Sequence, residues 1–144
     1  MKKAIRMFFV AMLAASAGTT NTYAQTAAEV DSSLDGLFGA HAPYRHFFEQ
    51  LQKAVASDDK AAVAAMVDYP FQARINGKAV TLRDAAHFVA DYDKIVTSKV
   101  KQAIAAQTYA TLFANWQGVM IGDGELWFSG VGDGNMIKII AIND

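Results

Sequence analysis

The sequence predicts an α+β domain, with helices packed on one face of a curved antiparallel sheet. Apolar residues recur at helical spacing through Phe47–Val67 and again through Phe88–Ile104. An Asn76-Gly77 hairpin lies between those stretches, and alternating apolar runs separated by Asp-Gly turns fill the last part of the chain. The resulting order, α-α-β-β-α-α-β-β-β, contains no repeat and no internal linker and places the helices against the sheet.

The beginning of the chain reads as a secretory signal over residues 1–24. Lys2, Lys3 and Arg6 form a positive start, Met7 to Ala14 an apolar run, and small residues follow. That run is shorter than the roughly 20 apolar residues a bilayer core requires. Cleavage fits after Ala17 or after Ala24, and the polar stretch Gly18 to Thr22 favours Ala24. The expected address is the periplasm, or the medium beyond it. With no cysteine at either site, a lipid-modified N-terminus is excluded.

Without its signal the chain keeps ten basic against 14 acidic side chains, a net of −4. A mildly acidic domain without a basic run suits neither nucleic acid nor anionic lipid. The absence of cysteine removes disulfides, thiolate zinc sites and a cysteine nucleophile. About 120 residues suffice for one core. With 53% apolar residues in the whole chain, some apolar surface is left for a partner.

Residues 25–40 are small and polar and read as a flexible lead-in to a single domain over residues 41–144. Pro43 suits a first helical turn, and Phe47, Leu51, Ala54 and Val55 continue an amphipathic helix. Ser57-Asp58-Asp59 interrupts it and offers an oxygen to cap a short second helix with Val63, Met66 and Val67 inward, ended by Tyr69-Pro70. Asn76-Gly77 accepts positive φ at both centres of a type I′ turn, which sets Phe71 opposite Leu82 and Ala73 opposite Val80. Phe71, Ala73, Ile75, Val80 and Leu82 then share an apolar face, with Gln72, Arg74 and Thr81 on the other.

Thr81 and Asp84 resemble a capping box for a helix carrying Phe88, Val89, Tyr92, Ile95 and Val96. Thr97-Ser98 recaps the chain for Val100, Ala103 and Ile104. Thr111 to Ile121, Glu125 to Ser129 and Met136 to Ile142 read as a three-strand meander, with Gly118 as a bulge in the first strand. Pairing about Asp123-Gly124 and Asp133-Gly134 puts Leu126, Phe128, Ile137 and Ile139 on one face. Met120, Trp127, Ile140 and Ile142 fall on the other, with Trp116 if Gly118 keeps the register. Two apolar faces imply that one packs on the helices while the other is covered by another element or a second subunit.

This element order, with the phrases "VDYPF", "NGKAVTLRDAAHFVADYDKIV" and "GVMIGDGELWF…IKIIAIN", resembles the NTF2-like (cystatin-like) α+β cone and small exported bacterial proteins over Pro43 to Asn143. The resemblance implies a pocket between sheet and helices and dimerisation through the sheet. The early hairpin and the split second helical region depart from the usual pattern. Such folds host isomerases, dehydratases and non-catalytic binders alike, so the fold leaves function open.

Asp84, His87 and Asp91 line one helical face at i, i+3 and i+7, a row that could hold a metal or, more ordinarily, face solvent. Gly122-Asp123-Gly124-Glu125 and Gly132-Asp133-Gly134-Asn135 lack the ligand alternation of a calcium loop and suit turns. His41, Tyr44, Arg45 and His46 form a mixed aromatic and basic group near the first helix. Asp68-Tyr69 and Asp91-Tyr92-Asp93 are weak acid–base pairs, and no serine sits in a nucleophile elbow.

The binding candidates are Arg74, Tyr92, Trp116 and Trp127, since tryptophan combines a large apolar area with a donor and suits interfaces. No catalytic residue, metal ligand or cofactor is assigned. The favoured reading is a non-enzymatic binding or interaction module, including an inhibitor or immunity-type partner of an envelope protein, homodimeric through the sheet or holding a small apolar ligand. The rival is a small NTF2-like enzyme doing acid–base chemistry on a hydrophobic metabolite.

Overall fold

The computed structural model describes residues 24–144. The expected signal peptide, apart from Ala24, lies outside the described residues. Among the described residues, six helices and two antiparallel sheets form the mixed α+β architecture expected, and no helix is long and apolar enough to cross a membrane.

Residues 25–40 are not the flexible lead-in that their polarity suggests. They form α1 (Ala27–Phe38), closed at its start by a capping box in which Thr26 and Glu29 satisfy each other's backbone N–H, and at its end by Gly39 at φ 87°. Its polar residues occupy the outer sides, and a narrow stripe, Val30 and Leu34, is fully buried. The Tyr109 hydroxyl donates to Asp31 at 2.6 Å, and the Gln25 side chain donates to the Leu112 carbonyl, so both bonds hold α1 to distant chain.

The longest helix, α2 (Ala42–Ala56), has Pro43 in its first turn and buries Tyr44, Phe48, Leu51, Ala54 and Val55. Asp59 caps α3 (Lys60–Ala65) by accepting from the Ala62 N–H at 3.0 Å. Strands β1 (Phe71–Ile75) and β2 (Lys78–Leu82) pair in the register expected, with φ 51° at Asn76 and 76° at Gly77. The polar side of this hairpin is stitched by Gln72 and Thr81.

The cap after β2 is Asp84 rather than Thr81, which stays in the strand; the Asp84 carboxylate accepts from the His87 N–H. The helical run divides into α4 (Ala85–Ala90) and α5 (Tyr92–Ile95), and Thr97 caps α6 (Ser98–Ala106) as expected. A 3₁₀ turn, Tyr109–Thr111, leads into the main sheet.

That sheet has four strands, β3 (Phe113–Asn115), β4 (Gly118–Ile121), β5 (Leu126–Val131) and β6 (Met136–Ile142), in sequential order. The expected long first strand is in fact a hairpin, closed by the Asn115–Gly118 pair with Trp116 and Gln117 at its tip. Gly118 therefore ends a turn and does not bulge. Its φ of 148°, and the Phe128 carbonyl lying 2.6 Å from where a Cβ would stand, both require glycine.

The ladder is irregular between β5 and β6. Trp127 pairs with Ala141 and Phe128 with Ile139, leaving Ile140 as the extra residue. This bulge reverses the side expected for Ile142. It pairs with Leu126 and is buried against the helices. The inner face carries Val119, Ile121, Leu126, Phe128, Ile139 and Ile142, all buried in one core. The free side of β6 is partly covered by Val67, which bridges Ile139 in parallel.

Candidate functional site

Alternation along the strands sends every second side chain away from the helices. Cross-strand pairing then sets Phe113, Met120, Trp127 and Ala141 in one row, one residue from each of the four strands. Phe113 is 50% exposed and Trp116, on the hairpin tip beside this row, is 81% exposed. Met120 and Trp127 are half-buried. The face holds an uncharged aromatic and thioether stripe, with no element of the described residues laid across it.

Of the four candidates named from sequence, only Trp127 stands in this row, and Trp116 sits at the tip of the β3–β4 hairpin. Tyr92 is fully buried, packed edge to face on Phe88. Lys60 and Lys101 lie 5.4 Å from its ring centre, as cations over an aromatic face. Burial, reinforced by the nearby Asp58, Asp93 and Asp59, pushes its hydroxyl up to about 12. Arg74 stands on the separate hairpin, exposed, with its guanidinium 3.5 Å from the Gly77 carbonyl. Core packing explains Tyr92 and solvent explains Arg74.

Phe113 was missed because the Thr111–Ile121 run reads as one strand, in which it has no partner. Taking Trp116-Gln117 as a turn would have paired it with Met120.

The titratable groups resolve into local pairs. His87 bonds the Asp84 carboxylate at 2.7 Å, which holds that carboxyl below its usual range, and Asp91 pairs with Lys94. Among the described residues no group of three or more His, Asp or Glu is placed to hold a metal. The first-helix cluster is split. His41 bonds Asp35 at 2.8 Å, Tyr44 is buried on Phe38, and Arg45 lies over Tyr109. His46 faces elsewhere, onto a groove. Tyr69 donates to the Ala64 carbonyl at 2.6 Å, not to Asp68, and Glu125 accepts from the Asp123 N–H inside its turn.

That groove runs between α2, α3 and the β5–β6 turn, has a volume of about 770 Å³, and has Phe47, Ala62, Met66 and Ile137 in its walls.

Comparison with known protein families, curated proteins and solved structures finds no match to the chain.

Proposed function

We propose that this protein is an exported, non-enzymatic interaction module that pairs through the outward face of its four-stranded sheet, with a second copy of the chain as the occupant. The observation that carries the reading is the uncovered row Phe113, Met120, Trp127 and Ala141, flanked by the 81% exposed Trp116. Large exposed aromatic and apolar stripes mark interaction surfaces. The row itself carries no charge, and Lys138, paired with Ser129 on the same side, has its ammonium turned onto the Ala65 carbonyl.

Size sets the strength of such a pairing. Four strands at ~4.8 Å spacing and about six residues of strand give a face of ~400 Å². Two such faces bury less than the ~1,200 Å² of a standard stable interface, so the dimer is weak and concentration-dependent. Export rests on the basic start and apolar run of the first 24 residues. The NTF2-like resemblance supports pairing through a sheet. An inhibitor or immunity-type partner from the envelope would compete for the same face.

Sedimentation over a wide range of protein concentration tests the reading. A monomer–dimer equilibrium that Trp127→Ser and Met120→Ser both abolish supports it. A monomeric mass at every concentration, or a dimer indifferent to both substitutions, rejects it. Recovery from the periplasm of a bacterial host with Gln25 as first residue supports export, and retention of Met1 in the cytosol rejects it.

A further inference from the structure

We propose that the groove between α2, α3 and the β5–β6 turn receives an extended, uncharged apolar peptide segment of another protein, bonded main chain to main chain at Ile137 of β6. The groove is long. Pro43, Phe47, Gln50, Ala54 and Ser57 line it at alternating four- and three-residue steps, one stripe down the length of α2. At 1.5 Å per residue that stripe runs ~21 Å, the reach of about six residues of extended chain. Phe47, Met66 and Ile137 are partly buried against the core, and Phe47 also packs on Phe128, so the apolar wall is continuous with the interior. Met136 stands 61% exposed at the rim, and such unbranched thioethers adapt to side chains of different shape.

The edge of β6 supplies the polar recognition. Ile139 bonds away from β5: its N–H donates to the Met66 carbonyl at 2.7 Å, and its carbonyl accepts from the Asp68 N–H at 3.0 Å. The ladder is regular from Phe128–Ile139 to Gly130–Ile137, and main-chain groups of a strand repeat their direction every second residue. The N–H and C=O of Ile137 therefore point to the same open side. The chain that covers Ile139 through Val67 comes out of α3 and does not extend along Ile137, whose main chain has no partner there among the described residues. The Ala65 carbonyl at the end of α3 is already taken by the Lys138 ammonium. A free donor and acceptor side by side match another peptide group, whereas a hydrocarbon would leave both unsatisfied. Lys53 and Asp59 stand in the same lining with opposite signs, so a charged segment would be repelled by one as it is drawn to the other.

The probe is an uncharged hexapeptide of valine, threonine and one phenylalanine, blocked at both ends. Calorimetric titration should give one saturable site per chain. Moving a single N-methyl group along the peptide should weaken binding about tenfold at the position that donates to Ile137, and hydrogen exchange at the Ile137 amide should slow in the complex. Ala62→Trp, which fills the groove, should abolish binding, and Lys53→Gln should change it by less than about twofold. Absence of a saturable site, indifference to N-methylation at every position, or unchanged exchange at Ile137 overturns the inference. Binding of neutral phenylnaphthylamine without the peptide would assign the groove to a small hydrocarbon, and a dimer weakened by Ala62→Trp would assign it to a second copy; either result also overturns it. The N-methyl series and the exchange measurement decide the matter even if Ala62→Trp fails to fold. Failure here leaves the sheet-face dimer untouched, because the groove lining and the row Phe113, Met120, Trp127 and Ala141 share no residue.

Discussion

Phe113 and Trp127 meet edge to face on the outward side of the sheet, with ring centroids 6.5 Å apart and planes at 87°. They stand on β3 and β5, which do not pair, so the contact spans the intervening strand over Met120. Such aromatic pairs are worth about 0.5–1.5 kcal/mol beyond area. A double-mutant cycle of Phe113→Ala and Trp127→Ala, read by urea unfolding of the monomer, should return a coupling of about 1 kcal/mol. A coupling near zero would show that the rings do not meet in solution.

The first described helix is a structural part of the domain. Leu34 is 0% exposed, and Leu34→Ala should cost about 3 kcal/mol through lost burial and an incompletely closed cavity. Gly36 sits inside α1, with nothing within 4 Å of where a Cβ would stand. Gly36→Ala should therefore raise stability by about 0.5–1 kcal/mol. If residues 25–40 were a flexible lead-in, neither substitution would move the urea midpoint.

What the sequence revealed and what it hid follow from the range of each signal. Asn76-Gly77, Thr97 and the Asp-Gly turns act within a few residues, and the structure reproduces them. The signal for α1 was also local: Thr26 and Glu29 at capping-box spacing, then Val30 and Leu34 at i, i+4, then Gly39. A polar composition with an internal glycine obscured it. The Ile140 bulge had no local signal, because counting out from a turn assumes an unbroken ladder. One skipped residue reversed the side of Ile142 while leaving Ile137 and Ile139 where they were expected. The outward place of Trp127 was legible from the turn register, whereas Trp116, expected within a strand, sits at a hairpin tip, and the burial of Tyr92 depends on packing between distant elements.

Gly118 combines a backbone angle that side chains resist with a neighbour that leaves no room. Gly118→Ala should lower stability by about 2–3 kcal/mol, since the strand would have to move off the Phe128 carbonyl or the hairpin would have to open. Gly132, also at positive φ but with open space around it, should tolerate alanine better. Equal losses at the two positions in thermal unfolding would mean that backbone angle alone decides.

Tyr92 buries a hydroxyl that has no hydrogen-bond partner among the described residues. Desolvating such a group without a bond costs about 1–3 kcal/mol. Tyr92→Phe keeps the ring contacts with Phe88 and the two lysines and removes that cost. Stability should be unchanged or rise by about 1 kcal/mol. A loss of about 2 kcal/mol or more, a size typical of removing a bonded polar group, would show that the hydroxyl has a partner in solution.

The tyrosines also set an alkaline limit. Burial first, and neighbouring carboxylates second, push Tyr69 and Tyr92 up to about 12 from an ordinary 10.0, and Tyr44 and Tyr109 are raised as well. A raised acid is held protonated by the fold. Its contribution is therefore complete below about pH 10 and is lost as pH climbs through about 12. The part of the tyrosinate absorbance that belongs to the buried Tyr92 and Tyr44 should rise in one step with the loss of far-ultraviolet dichroism, because their ionisation requires opening of the core. Tyr92→Phe should shift the step upward by removing one of the groups whose ionisation drives it. Complete tyrosinate formation well before the dichroism changes would mean that the Tyr92 and Tyr44 hydroxyls reach water in the folded protein.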